Sequence, residues 1–145
     1  AASARVKKQI ISLWGTEAVA QIRRDPYGLI QAVDGVGFLT ADRIARKVGF
    51  SIDAYERIRE GVLHVLEQAA WGDGHTHLPK KVLLQKATAL LELSAEKVSP
   101  CFARMELNNL IVIRGQAVYL GEVYRDEKLV ADLIGNIIRG RETLS

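Results

Sequence analysis

Val33-Asp34-Gly35-Val36-Gly37-Phe38-Leu39-Thr40-Ala41-Asp42-Arg43-Ile44-Ala45 decides the fold of this chain. Two glycines, one residue apart, join an apolar segment to a helix-forming run. Both are expected to take positive φ and to let an anion approach a backbone that has no Cβ in the way. Val36, between them, would anchor the turn in a core. Gly37 leads into a helix start, where unpaired N–H groups and the macrodipole favour negative charge. Ala41 is small enough for two helices to cross closely, and Ile44 would pack between them. Leu39 and Thr40 open the helix, and the Thr40 hydroxyl can reach an anion. Arg43, Arg46 and Lys47 supply charge. Asp42 opposes an anion site unless it points away.

The surrounding charge agrees with this stretch. The chain has 145 residues and a formal charge of +3. Residues 1–50 carry eight Lys or Arg, Lys7 and Lys8 among them, against four Asp or Glu, which is +4. Residues 51–100 carry −1 and residues 101–145 are neutral. The basic excess therefore lies where the glycine turn lies, and an anionic partner is expected there. Hydrophobic residues at 48% exclude a mainly disordered chain. No apolar run approaches a membrane span, and no signal-peptide pattern opens the sequence. A single cysteine, Cys101, excludes an internal disulfide and fits a cytoplasmic setting. It has no activating neighbour and reads as a small hydrophobe.

Short helices flank the turn. Val6, Ile10, Ile11 and Trp14 form a helical stripe closed by Gly15. Thr16 is a candidate cap for a helix carrying Val19 and Ile22. Asp25-Pro26 reads as a cap with proline at the first helical position, ahead of Leu29 and Ile30. Gly49 closes the helix from Leu39 to Val48. Placing Gly15 over Gly49 also places Ile10 over Ile44 and Trp14 over Val48, a faint repeat whose first turn, at Ala1 and Ser3, is degenerate or cut off. Residues 54–71 have one apolar face at Ile58, Val62, Val65, Leu66 and Ala69, with Ser51 or Asp53 as cap and Gly72-Asp73-Gly74 as stop.

The last part has another rhythm. Pro79 opens a helix with Val82, Leu83, Ala87, Leu90 and Leu91. Ser94 caps a second, with Val98, Phe102, Met105 and Leu107, which Pro100 would bend or delay. Leu110–Ile113 and Ala117–Leu120, around Arg114-Gly115-Gln116, read as a β-hairpin. Two helices and a hairpin are the order of a winged helix. A final helix carries Leu129, Leu133, Ile134 and Ile137. The expected fold is mainly α, a helical bundle followed by a winged-helix-like unit with one β-hairpin. If the winged unit touches DNA, its contacts are Lys97, Arg104 and Arg114, but Glu96 and Glu106 share that helix and packing is the preferred role.

The opening stretch resembles the helix-hairpin-helix motif, apolar-x-Gly-apolar-Gly-x-x-x-Ala-x-x-Ile. A wider resemblance runs through Asp25-Pro26-Tyr27-Gly28-Leu29-Ile30, the turn, Thr40-Ala41-Asp42-Arg43-Ile44-Ala45, Arg57-Ile58-Arg59-Glu60-Gly61-Val62-Leu63 and His77-Leu78-Pro79, ending in the hairpin and the Tyr124 helix. These segments are similar to the N-terminal region of RecD-like ATP-dependent DNA helicases of superfamily 1, related to the exodeoxyribonuclease V alpha chain. The resemblance implies tandem helix-hairpin-helix units and a winged-helix-like part, ahead of a 5′-3′ motor acting in repair and recombination. It implies sequence-nonspecific DNA binding by the turn, and contact with the motor domains of the same polypeptide. ATP and Mg²⁺ would belong to the parent protein. No Lys here precedes Ser or Thr, so no Walker A loop exists and no cofactor or catalytic residue is expected. The implied layout is 1–50 helix-hairpin-helix, with a truncated or degenerate first copy. It continues with 51–76 as connecting helix and turn, 77–123 as the winged unit, and 124–145 as a trailing helix cut before the motor near Arg139–Ser145.

The remaining candidates read as structural. His75 and His77 would share a face on a strand, but without cysteine or carboxylate partners a surface turn and strand is preferred to a metal site. His64 sits at the border of an amphipathic helix. Trp14 and Trp71 can stack on bases, but both are expected in the core. Two other functions compete: a scaffold docking the motor or a repair partner, and a DNA glycosylase. The glycosylase would need a catalytic Asp behind the turn, where only Asp53, a candidate cap, stands.

Overall fold

A computed structural model describes residues 4–144. The side chains of Val6, Glu127, Asn136 and 138–145, and the Ala1 and Ser3 of the repeat, lie outside the described residues. Helix α1 spans Ala4–Trp14 and α2 Ala18–Arg24, joined by a 3-10 turn at Gly15–Glu17. A second 3-10 turn, Pro26–Gly28, runs into α3, Leu29–Ala32. Then come α4, Phe38–Lys47, and α5, Tyr55–Glu67. Strand β1 (His77–Pro79), α6 (Lys80–Leu91), α7 (Ala95–Leu107), β2 (Ile111–Arg114), β3 (Ala117–Leu120) and α8 (Gly121–Leu144) complete the chain.

The fold is mainly α, as expected. Gly15, Gly49 and Gly115 take φ of +57°, +79° and +61°, so the helix ends and the hairpin turn fall where glycine marked them. The hairpin pairs Ile111 with Leu120 and Arg114 with Ala117. It gains a third strand: β1 pairs antiparallel with β3, His77 opposite Tyr119, and the order is β1-β3-β2. Three residues are too few to show a period, so the sequence had no signal for this pairing. Only His77 lies on the strand; His75 sits in the turn before it, its N–H bonded to Ala69 O.

Capping went differently from expectation. Asp25 and Ser94 occupy N-cap positions, but neither side chain bonds the helix. Glu17 and Ala54, not Thr16, Ser51 or Asp53, stand at the N-caps of α2 and α5. Ser51 Oγ instead donates to Asp53 Oδ1 at 2.7 Å. Pro79 ends β1 and α6 begins after it. Pro100 does not delay α7, which starts at Ala95 directly behind Ser94. The long helix stops at Glu67 and gives way to a wider π-turn, Gln68–Gly72.

Helix α5 is the hub. Ile58, Val62, Val65 and Leu66 are buried, with α4 on one side and α6 and α7 on the other. One buried cluster runs from Ile10 through Val36, Phe38 and Ala41 to Phe102, Ile111 and Leu120. Each large side chain fully buried there contributes roughly 1.5–3 kcal/mol. Trp14 packs against this core, but Trp71 on the π-turn is 65% exposed, contrary to expectation. Leu107 is 82% exposed, and Ile11 and Val19 also face out, because each helix has only one neighbour-facing side. The α8 residues Leu129, Val130, Leu133, Ile134 and Ile137 are likewise exposed.

Candidate nucleic-acid interface

The turn between α3 and α4 is built from backbone. Val36 is buried and its N–H donates to Val33 O at 3.3 Å. Gly35 is exposed with φ +86°, the left-handed region that favours glycine. Gly37 differs from expectation: it is the N-cap of α4, with φ −101° and ψ −172°. Its lack of a side chain therefore serves access and not dihedral freedom. A Cβ built at Gly37 meets nothing within 4 Å, so the space above it is open. No side chain caps α4, so the first N–H groups of the helix have no side-chain partner. Leu39 is exposed and Thr40 half-buried beside it, while Ala41 is buried against the preceding turn. Ile44 is partly buried against the core.

Asp42 is resolved by a residue far away in sequence. Tyr27 Oη donates to Asp42 Oδ1 at 2.6 Å, and Arg57 Nε donates to the same oxygen at 2.8 Å. Arg57 is 2% exposed. Its Nη1 also donates to Ile52 O at 2.8 Å and Leu91 O at 2.9 Å, which ties α4, α5 and the end of α6 together. Burial alone would raise the Asp42 carboxyl, but the hydrogen bonds from Arg57 and Tyr27 outweigh it and hold it below its ordinary range. Burial and the adjacent Asp42 push the Tyr27 phenol far up, so it stays a donor. Asp42 is thus neutralised internally, while Asp34, next to Gly35, stays exposed.

The cations divide into two sets. Arg43, Lys47, Lys7 and Lys8 are exposed and have no carboxylate partner among the described residues. Arg46 is shared with Asp42 at 3.6 Å and Glu92 at 3.8 Å. The winged-unit cations are engaged within the chain. Lys97 pairs with Asp53 at 3.3 Å, Arg104 lies 3.7 Å above the Tyr55 ring, and Arg114 Nε donates to Tyr124 Oη at 3.2 Å.

A groove of about 320 Å³ runs between α3, α5 and the start of α8, lined by Glu60, Glu67, Glu122 and Trp71 among others. Burial raises the Glu60 and Glu67 carboxyls, and Glu60 and Glu122 raise Glu67 further. Glu60 and Glu67 stand two turns apart on α5 and Glu122 comes from α8; Arg125 also lines the groove, and Glu60 is paired with Arg59 at 3.0 Å. His64 is half-buried against Phe38, with ring centroids 5.6 Å apart, and burial lowers its pKa. Cys101 is half-buried, its thiol pushed up by burial. Among the described residues, no three His, Cys, Asp or Glu side chains converge for a metal, and no helix is long and apolar enough to cross a membrane.

Comparison with known proteins agrees with this architecture. The family model described as the HHH domain of the ATP-dependent RecD2 DNA helicase matches residues 2–77. An ATP-dependent RecD2 DNA helicase of Deinococcus radiodurans is 27% identical over 150 residues, covering 90% of this chain. The chain spans 20% of that relative's length.

Proposed function

The chain belongs to the family of RecD2 helicase HHH domains, and from that premise we propose that it is a sequence-nonspecific DNA-binding region of an ATP-dependent DNA helicase. The observation that carries this is the Gly35–Thr40 turn, an uncapped helix start with open space above Gly37, in the basic first third. Such groups hold phosphates and position DNA without reading bases. Gly35, Val36, Gly37, Leu39 and Thr40 form the contact, with Arg43, Lys47, Lys7 and Lys8 adding charge and Arg46 contributing in part. Lys97, Arg104 and Arg114 come second, since each already has a partner in the chain. The fragment itself catalyses nothing. ATP and Mg²⁺ act in the rest of a cytoplasmic 5′-3′ helicase of repair and recombination.

About two to four phosphate contacts give a log K against log salt slope of roughly −2 to −4. Anisotropy of labelled duplex DNA across a salt series measures it; an affinity indifferent to salt refutes the proposal. A Cβ at Gly37 meets no atom within 4 Å, and the residue sits at an ordinary φ, so Gly37→Val is tolerated by the backbone. Its folding cost is that of a poorer N-cap, about 1 kcal/mol, while the branched side chain occupies the phosphate's approach. Duplex binding is expected to vanish with thermal unfolding nearly unchanged.

A second reading is favoured by the exposed apolar stripe of α8, which suits a protein surface such as the motor domains of the same polypeptide or a repair partner. Arg43→Ala with Lys47→Ala separates the two readings. The pair weakens DNA binding under the first and changes nothing under the second.

A further inference from the structure

The outer face of the three-stranded sheet carries a row of aromatic rings that the hairpin site does not use. Along β3, Val118 and Leu120 point into the core while Ala117 and Tyr119 face outward. The register sets His77 of β1 opposite Tyr119, and Tyr119 opposite Val112 of β2. The His77 and Tyr119 rings are 4.9 Å apart, and Tyr119 and Tyr124 are 5.3 Å apart. The row ends on a cation: the Arg114 guanidinium lies 5.4 Å from the Tyr124 ring centre and donates to its hydroxyl. His77 and Arg114 are exposed and both tyrosines are half-exposed. Beside His77 an open hollow of about 410 Å³ is lined by residues Gly74 to Pro79.

Cations stand close to this face. Lys128 stands one turn along α8 from Tyr124 and, with Arg114, lowers the Tyr124 phenol. Lys80 and Lys81 follow Pro79, and the Lys80 N–H bonds Gln116 O in the hairpin turn. Glu106 acts on Arg114, and its Oε2 already accepts from the Ile113 N–H at 2.9 Å. Asp126 lines a separate hollow with Val130 and Ile134.

We infer that this face is a second DNA site, for single strands: successive bases stack on Tyr124, Tyr119 and His77 while Arg114, Lys128 and Lys80 meet the phosphates. Every base offers a π-face, so such a row binds without sequence preference. A duplex hides its base faces inside the stack and cannot use it. The inference rests on the DNA-handling reading for the kind of ligand, and not for the place, since the Gly35–Thr40 turn lies on a different element.

The test is anisotropy with a labelled oligothymidylate and a labelled blunt duplex on the whole chain. Tyr119→Val keeps a strand-forming residue, and Tyr124→Leu keeps a helix-forming one. Each is expected to weaken oligothymidylate binding roughly tenfold and leave duplex binding unchanged. Tyr119→Phe retains the ring and is expected to bind as the parent does, and the unchanged duplex binding of the Val and Leu variants excludes a loss caused by misfolding. Oligothymidylate binding that survives Tyr119→Val with Tyr124→Leu overturns the inference. So does a loss that Tyr119→Phe shares, because stacking needs no hydroxyl. Single-strand binding that survives Gly37→Val and falls with the tyrosines supports this face whether or not duplex binding by the turn exists. Duplex binding lost in Gly37→Val alone, with oligothymidylate indifferent to the tyrosines, supports the turn and removes the face.

Discussion

Arg57→Ala is expected to destabilise the chain by about 3–5 kcal/mol, because it takes the closest cation from the buried Asp42 carboxylate and leaves it only Arg46 at 3.6 Å and the Tyr27 hydroxyl. Arg57 is almost wholly buried, so solvent offers Asp42 little compensation. The same substitution frees two carbonyls, Ile52 O and Leu91 O, that Arg57 now satisfies. For a chain of this size the loss lowers Tm by roughly 10 °C. Replacing both Asp42 and Arg57 by Leu removes the charges together, and the double variant is expected to be more stable than Arg57→Ala. Tyr27→Phe deletes one hydrogen bond and leaves the ion pair, for about 1 kcal/mol. The pH dependence has a definite sign. Asp42 is held below its ordinary range, so its contribution is complete above the unfolded carboxylate value of about 3.9. It disappears only as pH falls through the lower folded value. Calorimetry from neutral to acid pH checks this, and Arg57→Ala is expected to lose that low-pH tail. A Tm for Arg57→Ala equal to the parent's would show that the pair holds nothing together.

Gly121→Ala is the second large effect, at about 3 kcal/mol, and its origin is steric. Gly121 joins β3 to α8 and is buried, with its N–H bonded to Leu110 O at 2.9 Å. A Cβ there would collide with the backbone oxygen of Asn109 and lie 3.3 Å from that of Leu110. Neither atom is the end of a flexible side chain, and Asn109 is itself fixed at φ +62°. The strain must move the entry to β2 or the start of α8. Faster amide exchange in β2 and β3, ahead of α4, is the expected signature. Gly61→Ala is the contrasting case: its Cβ would come 2.6 Å from Leu91 Cδ2, the tip of a side chain that can rotate. It is expected to cost less than Gly121→Ala, and the reverse order would contradict the account.

The two results bear on how the turn is held. Arg57 fastens α4 to α5 and α6, so the backbone groups at Gly37–Thr40 keep a fixed direction relative to the winged unit. A turn that offers only amides to an anion has no long side chains with which to adapt, and its orientation must come from the scaffold. Asp42, unwelcome beside a phosphate when read alone, is one of the residues that provide this orientation.

Local chemistry was legible in the sequence. Positive φ at Gly15, Gly35, Gly49 and Gly115, the helix starting after Gly37, the burial of Val36 and Ala41, and the β2–β3 hairpin all follow from sterics and periodicity within a few residues. The tertiary structure alone decided the rest, because each remaining feature joins residues far apart in the chain. Asp42 finds Arg57 fifteen residues on. The three residues of β1 become a strand only because β3 offers them a partner. Trp71 is outside because the π-turn after α5 turns Ala69, and not Trp71, to the core. His77, Tyr119 and Tyr124, scattered over 48 positions, become one row because strand pairing aligns them. Burial and pairing act through space, and one sequence records only the order in which residues are joined.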